Sequence, residues 1–322
     1  MSIPLLLLSI FTFVQLNCEN LFDCRHDTLK NDVEFLPDGT YHWTRTRYWR
    51  KLNRVGQTII SCGEKCGEAT GKPPAEWSLP DMVALCEVEN DSVMFDLTRR
   101  SLLRNSRYDY VMTSSPDERG IDVALVYSPF TFRLTESHSV GVRLMEGMRP
   151  TRDILYASGI VQSGDTLHVI VVHLPSRRGG EKATRPYRLA VAGQVAAVVD
   201  SIYNKVSAQA NIIVSGDFND YSDSESVRLL CAHGMTDVSS GAVGRNGAKG
   251  TYSYQGKWGS LDHILVSAPL AEKLRECYVN DAAFLIEPDE KYGGVKPRRN
   301  YLGPRYLDGF SDHLPLVARF EW

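Results

Sequence analysis

Carboxylate, amide and imidazole side chains recur at the ends of short apolar runs in this 322-residue chain. The clearest case is Asn211–Asp220, NIIVSGDFND, where Ile212, Ile213, Val214 and Ser215 run into Gly216 and then into Asp217, Phe218 and Asn219. The run reads as a buried strand, and the glycine as the place where the backbone turns sharply. Strand alternation then aims Asp217 and Asn219 the same way, with Phe218 packed on the other side. A carboxylate so placed can take a proton from water or hold a cation, and the amide can orient that water or the group it attacks. Gly-Asp-x-Asn is equally ordinary turn chemistry, so the rest of the chain has to decide.

The same pattern returns elsewhere. Asn17 and Glu19 follow an alternating run in NCENLFD, Glu87 ends the run of LCEVEN, and His173 ends that of VHLPS. Asp262 opens SLDHILVS, and Asp312 and His313 precede the last apolar run in SDHLPL. Side chains at strand ends meet along one edge of a sheet, so this recurrence predicts a shared rim. Carboxylates and amides without a cysteine cluster suit a hard, oxygen-ligated cation, Mg²⁺ or Mn²⁺ rather than zinc. Imidazoles beside such an ion can stabilise a phosphoryl oxygen or carry protons. Several polar residues have plainer readings. His263 and His168 are expected to pack or face solvent, and Glu89 and Asn90 to cap the following helix. Arg177 and Arg178 after HLPS, and Arg119 on a turn, read either as solvated loop or as phosphate contacts, since Arg pairs bidentately with phosphate. Arg298, Arg299 and Arg305 lie in a late loop that can shape the pocket.

The elements that must position these groups are short strands with a few helices between them. Strands are expected at Ile10–Asn17, Asp81–Cys86, Asp109–Thr113, Ile121–Tyr127, Val140–Leu144, Leu155–Gln162, Thr166–Val172, Ile264–Val266 and Leu314–Phe320. Ser163-Gly164-Asp165 is a hairpin turn. Helical spacing covers Arg45–Ser61 with Thr44 as cap, Ser92–Leu103, Pro186–Tyr203 and Glu225–Cys231. Glu287–Asp308, rich in Gly, Pro and Arg, reads as a long loop over one face. Around ten to twelve strands with hairpin connections favour an α/β sandwich over a doubly wound parallel sheet.

The composition is that of a globular protein, with 43% hydrophobic and 23% charged residues. The net charge of −3 gives no overall basic field for nucleic acid, although a local basic groove is compatible with it. Seven cysteines, an odd number in a chain this long, make no disulfide framework. Cys18 and Cys86 are expected in the core. Cys62 and Cys66 lack the second pair of a metal knuckle and read as a loop disulfide or two free thiols. The start, MSIPLLLLSIFTFVQLN, is apolar but has no basic region and no A-x-A site, and its second half reads as the first strand. An apolar run of about 14 residues is short for a membrane span. Residues 1–9 are either a signal remnant or an extended N-terminus, and the compartment, cytoplasmic or exported, stays open.

Taken in order, NCENLFD, LCEVEN, VHLPS, SGDFND, SLDHILVS and SDHLPL resemble the motifs of the endonuclease/exonuclease/phosphatase superfamily, from about Thr12 to Phe320. The resemblance implies one domain over residues 1–322. Its expected fold is a DNase I-like four-layer α/β/β/α sandwich, α+β in class, with two mostly antiparallel sheets face to face and helices outside. It also implies site roles. Glu87 is the central metal carboxylate with Asn17, and Asp312 lies near the metal. Glu19 stands where repair nucleases of the family carry Asp. Asp217 is the general base or water-positioning acid, Asn219 orients the phosphate, and Asp262 holds the imidazole of His313. His173 matches a histidine of the DNase I-like branch, and Ser176 a nearby phosphate contact. The activity so implied is divalent-metal-dependent hydrolysis of a phosphate ester by a phosphodiesterase or nuclease-like enzyme, expected as a monomer. A phosphomonoesterase on a small sugar or inositol phosphate, or a non-catalytic binding protein on the same scaffold, stays open beside it.

Overall fold

The computed structural model describes residues 10–63 and 78–322. Strand β1 (Ile10–Leu21) divides its apolar side chains between two cores. Phe11 and Phe13 face the interior between two sheets, while Val14 and Leu16 face α1 (Arg45–Ser61). That split follows from strand alternation, which sends successive side chains to opposite faces. Helix α1 forms where its periodicity predicts, and Thr44 Oγ1 accepts from the Arg47 amide at its start (3.4 Å). β2 (Met82–Val88) lies parallel to β1, which two strands can do only with a crossover such as α1 between them. α2 (Asp91–Arg99) follows, capped by Asn90 Oδ1 on the Val93 amide (3.0 Å), and then antiparallel β3 (Asp109–Met112) and β4 (Asp122–Tyr127).

The next stretch builds the second sheet: β5 (Phe132–Val140), β6 (Ile154–Val161), β7 (Thr166–His173), α3 (Glu181–Lys205), β8 (Asn211–Asp217), α4 (Glu225–Ala232) and β9 (Met235–Asp237). A hairpin of β10 (Tyr252–Tyr254) and β11 (Lys257–Gly259) leads to β12 (Asp262–Ser267), α5 (Ala268–Ala271) and β13 (Leu274–Val279). Two further hairpins, β14 (Ile286–Pro288) with β15 (Val295–Pro297) and β16 (Tyr301–Leu302) with β17 (Arg305–Tyr306), precede β18 (Leu316–Glu321). The strand orders are β13-β18-β1-β2-β4-β3 and β5-β6-β7-β8-β12-β9. In each sheet one pair is parallel, β1/β2 and β7/β8, and the other named pairings are antiparallel. One core lies between the sheets, a second under α1 and α2, and a third under α3 and α4. This is the expected four-layer sandwich.

Several expectations are corrected. The strand placed at Val140–Leu144 is instead Phe132–Val140, a mostly exposed edge strand whose polar face carries no apolar alternation. Helix α2 stops at Arg99, short of Leu103. Helix α3 begins at Glu181, so Pro186 sits inside it rather than opening it. The segment read as a loop over Glu287–Asp308 is largely two hairpins. Gly216 does not mark a turn. It lies inside β8, where an added Cβ would come 1.8 Å from the Val172 carbonyl oxygen, so its role is close approach of β7 and β8. Cys18 and Cys86 are buried as expected, and Cys62 is a buried thiol; Cys66 and the first nine residues lie outside the described residues. No helix among the described residues is long and apolar enough to cross a membrane.

Candidate active site

Three neighbouring strands of the second sheet end on one row of polar residues. His173 pairs with Asp217 across β7/β8, and Asp217 pairs with Asp262 across β8/β12. The first sheet brings Asn17 from β1 and Glu87 from β2 against this row. Asn17 Nδ2 donates to Asp217 Oδ2 (3.0 Å) and reaches toward Glu87 Oε1 (3.4 Å), so one amide ties both sheets together. The segment before β18 supplies His313, whose Nδ1 lies 2.7 Å from Asp262 Oδ2.

Strand alternation does not carry through to the strand tips. Both the β1/β2 and the β2/β4 registers slip beside Glu87, and Glu87, Glu19, Asn20 and Asn219 all have left-handed backbones (φ +62°, +50°, +59° and +51°). Bulges of this kind re-aim a side chain, and left-handed residues other than glycine concentrate at functional sites because the surroundings must hold them there. The consequence is visible at Glu89. It does not help Asn90 cap α2; its Oε2 accepts from the Asp23 amide (2.7 Å) and fixes the chain leaving β1.

Each candidate has a definite setting. Asp217 Oδ1 accepts from the Asn219 amide (2.8 Å), and Asn219 Nδ2 donates to the Leu174 carbonyl (3.1 Å). Glu87 Oε2 accepts from the Asn20 amide (2.8 Å). Glu19 spends both oxygens on the amides of Asn300 (2.6 Å) and Tyr301 (3.1 Å), so it anchors the last loop as well as facing the site. Asp312 pairs with Arg299 Nη2 (3.0 Å). His173 Nε2 stands 3.7 Å from Asp217 Oδ2, beyond hydrogen-bond range, and its Nδ1 is buried without a partner. Ser176 is exposed, and its Oγ accepts from the Arg178 amide (3.3 Å). Arg178 is exposed at the cleft wall. Arg177 and Arg119 line the same cleft but are partly committed: Arg177 Nε donates to the Asn219 carbonyl (2.6 Å), and Arg119 Nη2 donates to Asn20 Oδ1. His263 and His168 are both buried and bonded away from the cleft, to Asp237 and the Asp220 carbonyl in one case and to Tyr156 in the other.

The electrostatics follow from burial among like charges. Burial, with the charges of Asp262 and Glu87, pushes the Asp217 carboxyl up to about 7 against the pull of His313 and the Asn219 amide. Burial and Asp312 push Glu19 to about 7 as well, against Lys51 and Arg299. Burial opposes charge on His313, yet Asp262, by charge and hydrogen bond, together with Asp217 and Asp312, holds the ring well above its ordinary value. His173 goes the other way: burial, then Arg152, Arg119 and His313, hold it well below, as a neutral ring.

An excess of buried carboxylates is what a divalent cation would offset. A small cavity of about 160 Å³ opens beside Glu87, lined also by Glu19, Asn20, Asp312, His313 and Arg299, whose guanidinium pairs with Asp312, and its possible ligand atoms are oxygens apart from the imidazole. The residues present therefore fit a hard divalent cation. Asp217, Asp262 and His313 also stand within 4.8 Å of one another. The His313–Asp262 hydrogen bond already uses Nδ1, so this trio reads as an acid–base group more readily than as a ligand set. A larger cleft of about 930 Å³ adjoins on the other side, sharing Glu87, Asp312 and His313 and walled by Tyr252, Tyr254, Arg149 and Arg178 among others.

Sequence reasoning missed the residues underneath. Gln15 is fully buried between the sheets, 3.5 Å from Asp262 Oδ1, from Cys86 Sγ and from Ser215 Oγ. Its signal was available, because a glutamine at the inward position after Phe11 and Phe13 interrupts an apolar stripe. Lys51 lies among the charges of α1, where a solvated face is the expectation. It is buried, and its Nζ donates to the Phe310 carbonyl just before the Ser311-Asp312-His313 segment.

Comparison with known proteins agrees with the fold. Residues 12–321 match the family described as Endonuclease/Exonuclease/phosphatase family. No curated protein matches the chain. Among solved structures, a protein of that family from Bacteroides thetaiotaomicron superposes with a TM-score of 0.62 at 16% identity, covering 98% of each chain. Truncated TDP2 from Caenorhabditis elegans gives 0.57 at 16% identity, over 97% of this chain and 98% of that one. A mannosyl-6-phosphatase from Bacteroides thetaiotaomicron gives 0.58 at 16%, over 96% and 98%.

Proposed function

The chain belongs to the endonuclease/exonuclease/phosphatase family, and from that premise we propose that it is a divalent-metal-dependent phosphoesterase acting by in-line attack of water. The observation that carries this reading is the convergence of Asn17, Glu87, Asp217, Asp262 and His313 from both sheets onto one buried acidic cluster. In this reading Glu87 and Asn17 would hold the ion, with Asp312 and Glu19 as further candidate ligands. When bound, Mg²⁺ or Mn²⁺ neutralises charge on the phosphoryl oxygens.

The protein groups divide the remaining work. Asp217 is fixed by the Asn219 amide and Asn17 Nδ2, which leaves lone pairs free to accept a proton from the attacking water. His313, charged and oriented through Nδ1 by Asp262, presents Nε2 to a non-bridging oxygen as the pentavalent transition state forms. Asn219 and the neutral His173 supply further polar contacts to the same oxygens. The water oxygen bonds to phosphorus, the bond from phosphorus to the leaving oxygen breaks, the leaving alkoxide takes a proton from solvent, and Asp217 releases its own to solvent.

A phosphodiester is the first reading, since the adjoining cleft of about 930 Å³ has room for an organic group on each side of the phosphate. A sugar phosphomonoester is the second reading, supported by the likeness to a mannosyl-6-phosphatase. A panel of mono- and diesters assayed with Mg²⁺, Mn²⁺ and EDTA separates them. A nucleic-acid substrate would bind much more weakly as salt rises, and a small ester less so. Asp217→Ala should lower kcat by about a hundredfold or more in a protein that stays folded. Absence of metal-dependent turnover on every ester, or full activity of Asp217→Ala, refutes the proposal.

A further inference from the structure

Asp220, the residue after the GDFN run, is buried and is grasped from three separate elements. Arg188 of α3 places Nε 2.8 Å from Asp220 Oδ1, an ion pair whose N–H is not aligned on the oxygen. Ser226 of α4 donates its Oγ hydrogen to Oδ2 (2.7 Å). His263 of β12 reaches the Asp220 carbonyl through Nε2 (2.9 Å) while Nδ1 faces Asp237 Oδ2 (3.1 Å). A carbonyl and a carboxylate can only accept, so both ring nitrogens of His263 carry protons and the ring is an imidazolium. Two buried cations, one guanidinium and one imidazolium, thus converge on a single residue.

Burying Arg188, which is fully inaccessible, is not an economical way to stabilise a fold, because apolar residues of similar volume serve as well or better. Its geometry suggests another use. The neighbour of Asp220 is Asn219, held in a left-handed backbone (φ +51°) that must be enforced from outside. Arg177 completes the connection, donating Nε to the Asn219 carbonyl (2.6 Å), lying 3.7 Å from Asp220 Oδ1 and stacking 4.2 Å over the Tyr221 ring.

We propose that Asp220 is a positioning residue: clamped by Arg188, Ser226 and His263, it fixes the turn that presents Asn219 to the phosphoryl group. The inference rests on the phosphoesterase reading above. A group placed this way changes rate through Asn219 alone, and a kinetic double-mutant cycle detects that dependence.

The test measures kcat and KM for Asp220→Ala, Asp220→Asn, Asn219→Ala and the Asn219→Ala/Asp220→Ala double variant on the best ester of the panel. Asp220→Ala should lower kcat about tenfold or more with KM within about twofold, and Asp220→Asn, which keeps an acceptor toward Arg188, should recover most of that loss. In the Asn219→Ala background the same Asp220→Ala change should cost less than about twofold. Because Asp220→Ala strands a buried guanidinium, Arg188→Met/Asp220→Ala serves as the folded comparison and should show the same kcat loss. An activity-independent readout runs beside it: hydrogen exchange at the Asn219 amide, bonded to Asp217 Oδ1, should quicken in Asp220→Ala while amides of β7 keep their protection. Equal kcat losses in both backgrounds, or unaltered exchange at Asn219, overturn the positioning role. An Asn219→Ala variant as active as the parent instead overturns the site assignment itself, so the two failures are distinguishable.

Discussion

Replacing Asp262 separates its charge from its shape. The carboxylate is almost inaccessible and lies 2.7 Å from His313 Nδ1, and among the described residues its other oxygen meets only the distant Gln15 amide (3.5 Å). A charge-assisted hydrogen bond contributes about 1.5–3 kcal/mol and a neutral one about 1 kcal/mol. Asp262→Asn keeps the ring oriented but removes the charge that favours the imidazolium, a difference of about 1.5 kcal/mol, or about tenfold in rate. Asp262→Ala also frees the ring to rotate and leaves Nδ1 unpaired, so the loss should reach about a hundredfold, comparable to His313→Ala. If Asp262 acts only through His313, the Asp262→Ala/His313→Ala pair should be no slower than His313→Ala by more than about twofold. The assay is steady-state kcat/KM with saturating Mg²⁺, with thermal melts to establish that each variant is folded. The reasoning is refuted if Asp262→Asn and Asp262→Ala both stay within about twofold of the parent enzyme while EDTA abolishes activity.

Two further outcomes concern the frame behind the site. Gly216→Ala would drive a Cβ to 1.8 Å from the Val172 carbonyl oxygen, so urea melts should show a loss of about 3 kcal/mol or more; an unshifted midpoint would contradict the close approach of β7 and β8. The His263–Asp237 pair gives a pH signature. Burial disfavours the charged ring, but the hydrogen bond and charge of Asp237 and the Asp220 carbonyl outweigh it and raise the His263 value. That contribution is complete below the unfolded value of about 6.5 and is lost as pH rises through the higher folded value. Asp237 is buried, which alone would raise its carboxyl, yet His263 and Ser239 hold it below its ordinary value, so its contribution is lost only as strongly acidic pH is approached. The stability gap between the parent and His263→Gln should be about 3 kcal/mol between about pH 4.5 and 6.5 and shrink above that window. A gap that stays constant from pH 5 to 9 in urea titrations would rule out the imidazolium.

What the sequence disclosed and what it hid divide along a physical line. Asp217, Asp262, His173 and Asn17 were legible because each borders an apolar run, Asp262 at its start and the others at its end, and burial of such runs in adjacent strands forces their polar tips into one row. Helix α1 was legible because its cap and its periodicity agree. Edge strand β5 and the late hairpins were not, since residues exposed on their outer side obey no apolar alternation. The direction of Glu87 was not legible either. Alternation alone would have paired Glu87 with Glu89, but a bulge and a left-handed backbone send Glu87 to Asn17 and Glu89 to the Asp23 amide.

The residues hidden most completely are those whose polar groups meet only in three dimensions. Lys51 sits on a helix with four arginines, of which Arg45 and Arg50 are exposed and Arg47 and Arg54 half-buried, and nothing in RYWRKLNRV marks it as the one whose ammonium reaches the Phe310 carbonyl. Arg188 and Asp220 are 32 residues apart, as their numbers give, and each alone looks like an ordinary surface charge. A local pattern reports which face of an element is apolar, whereas a buried ion pair depends on two elements packing at one distance, and that information is shared between segments rather than carried by either. The same division explains why the groups expected to meet the phosphate could be named from motifs while those that hold them in place could not. Contact with substrate requires a side chain at a strand tip, which leaves a local trace in the sequence. Support from below requires only a polar atom arriving from some other element, as Gln15, Arg188 and Lys51 do.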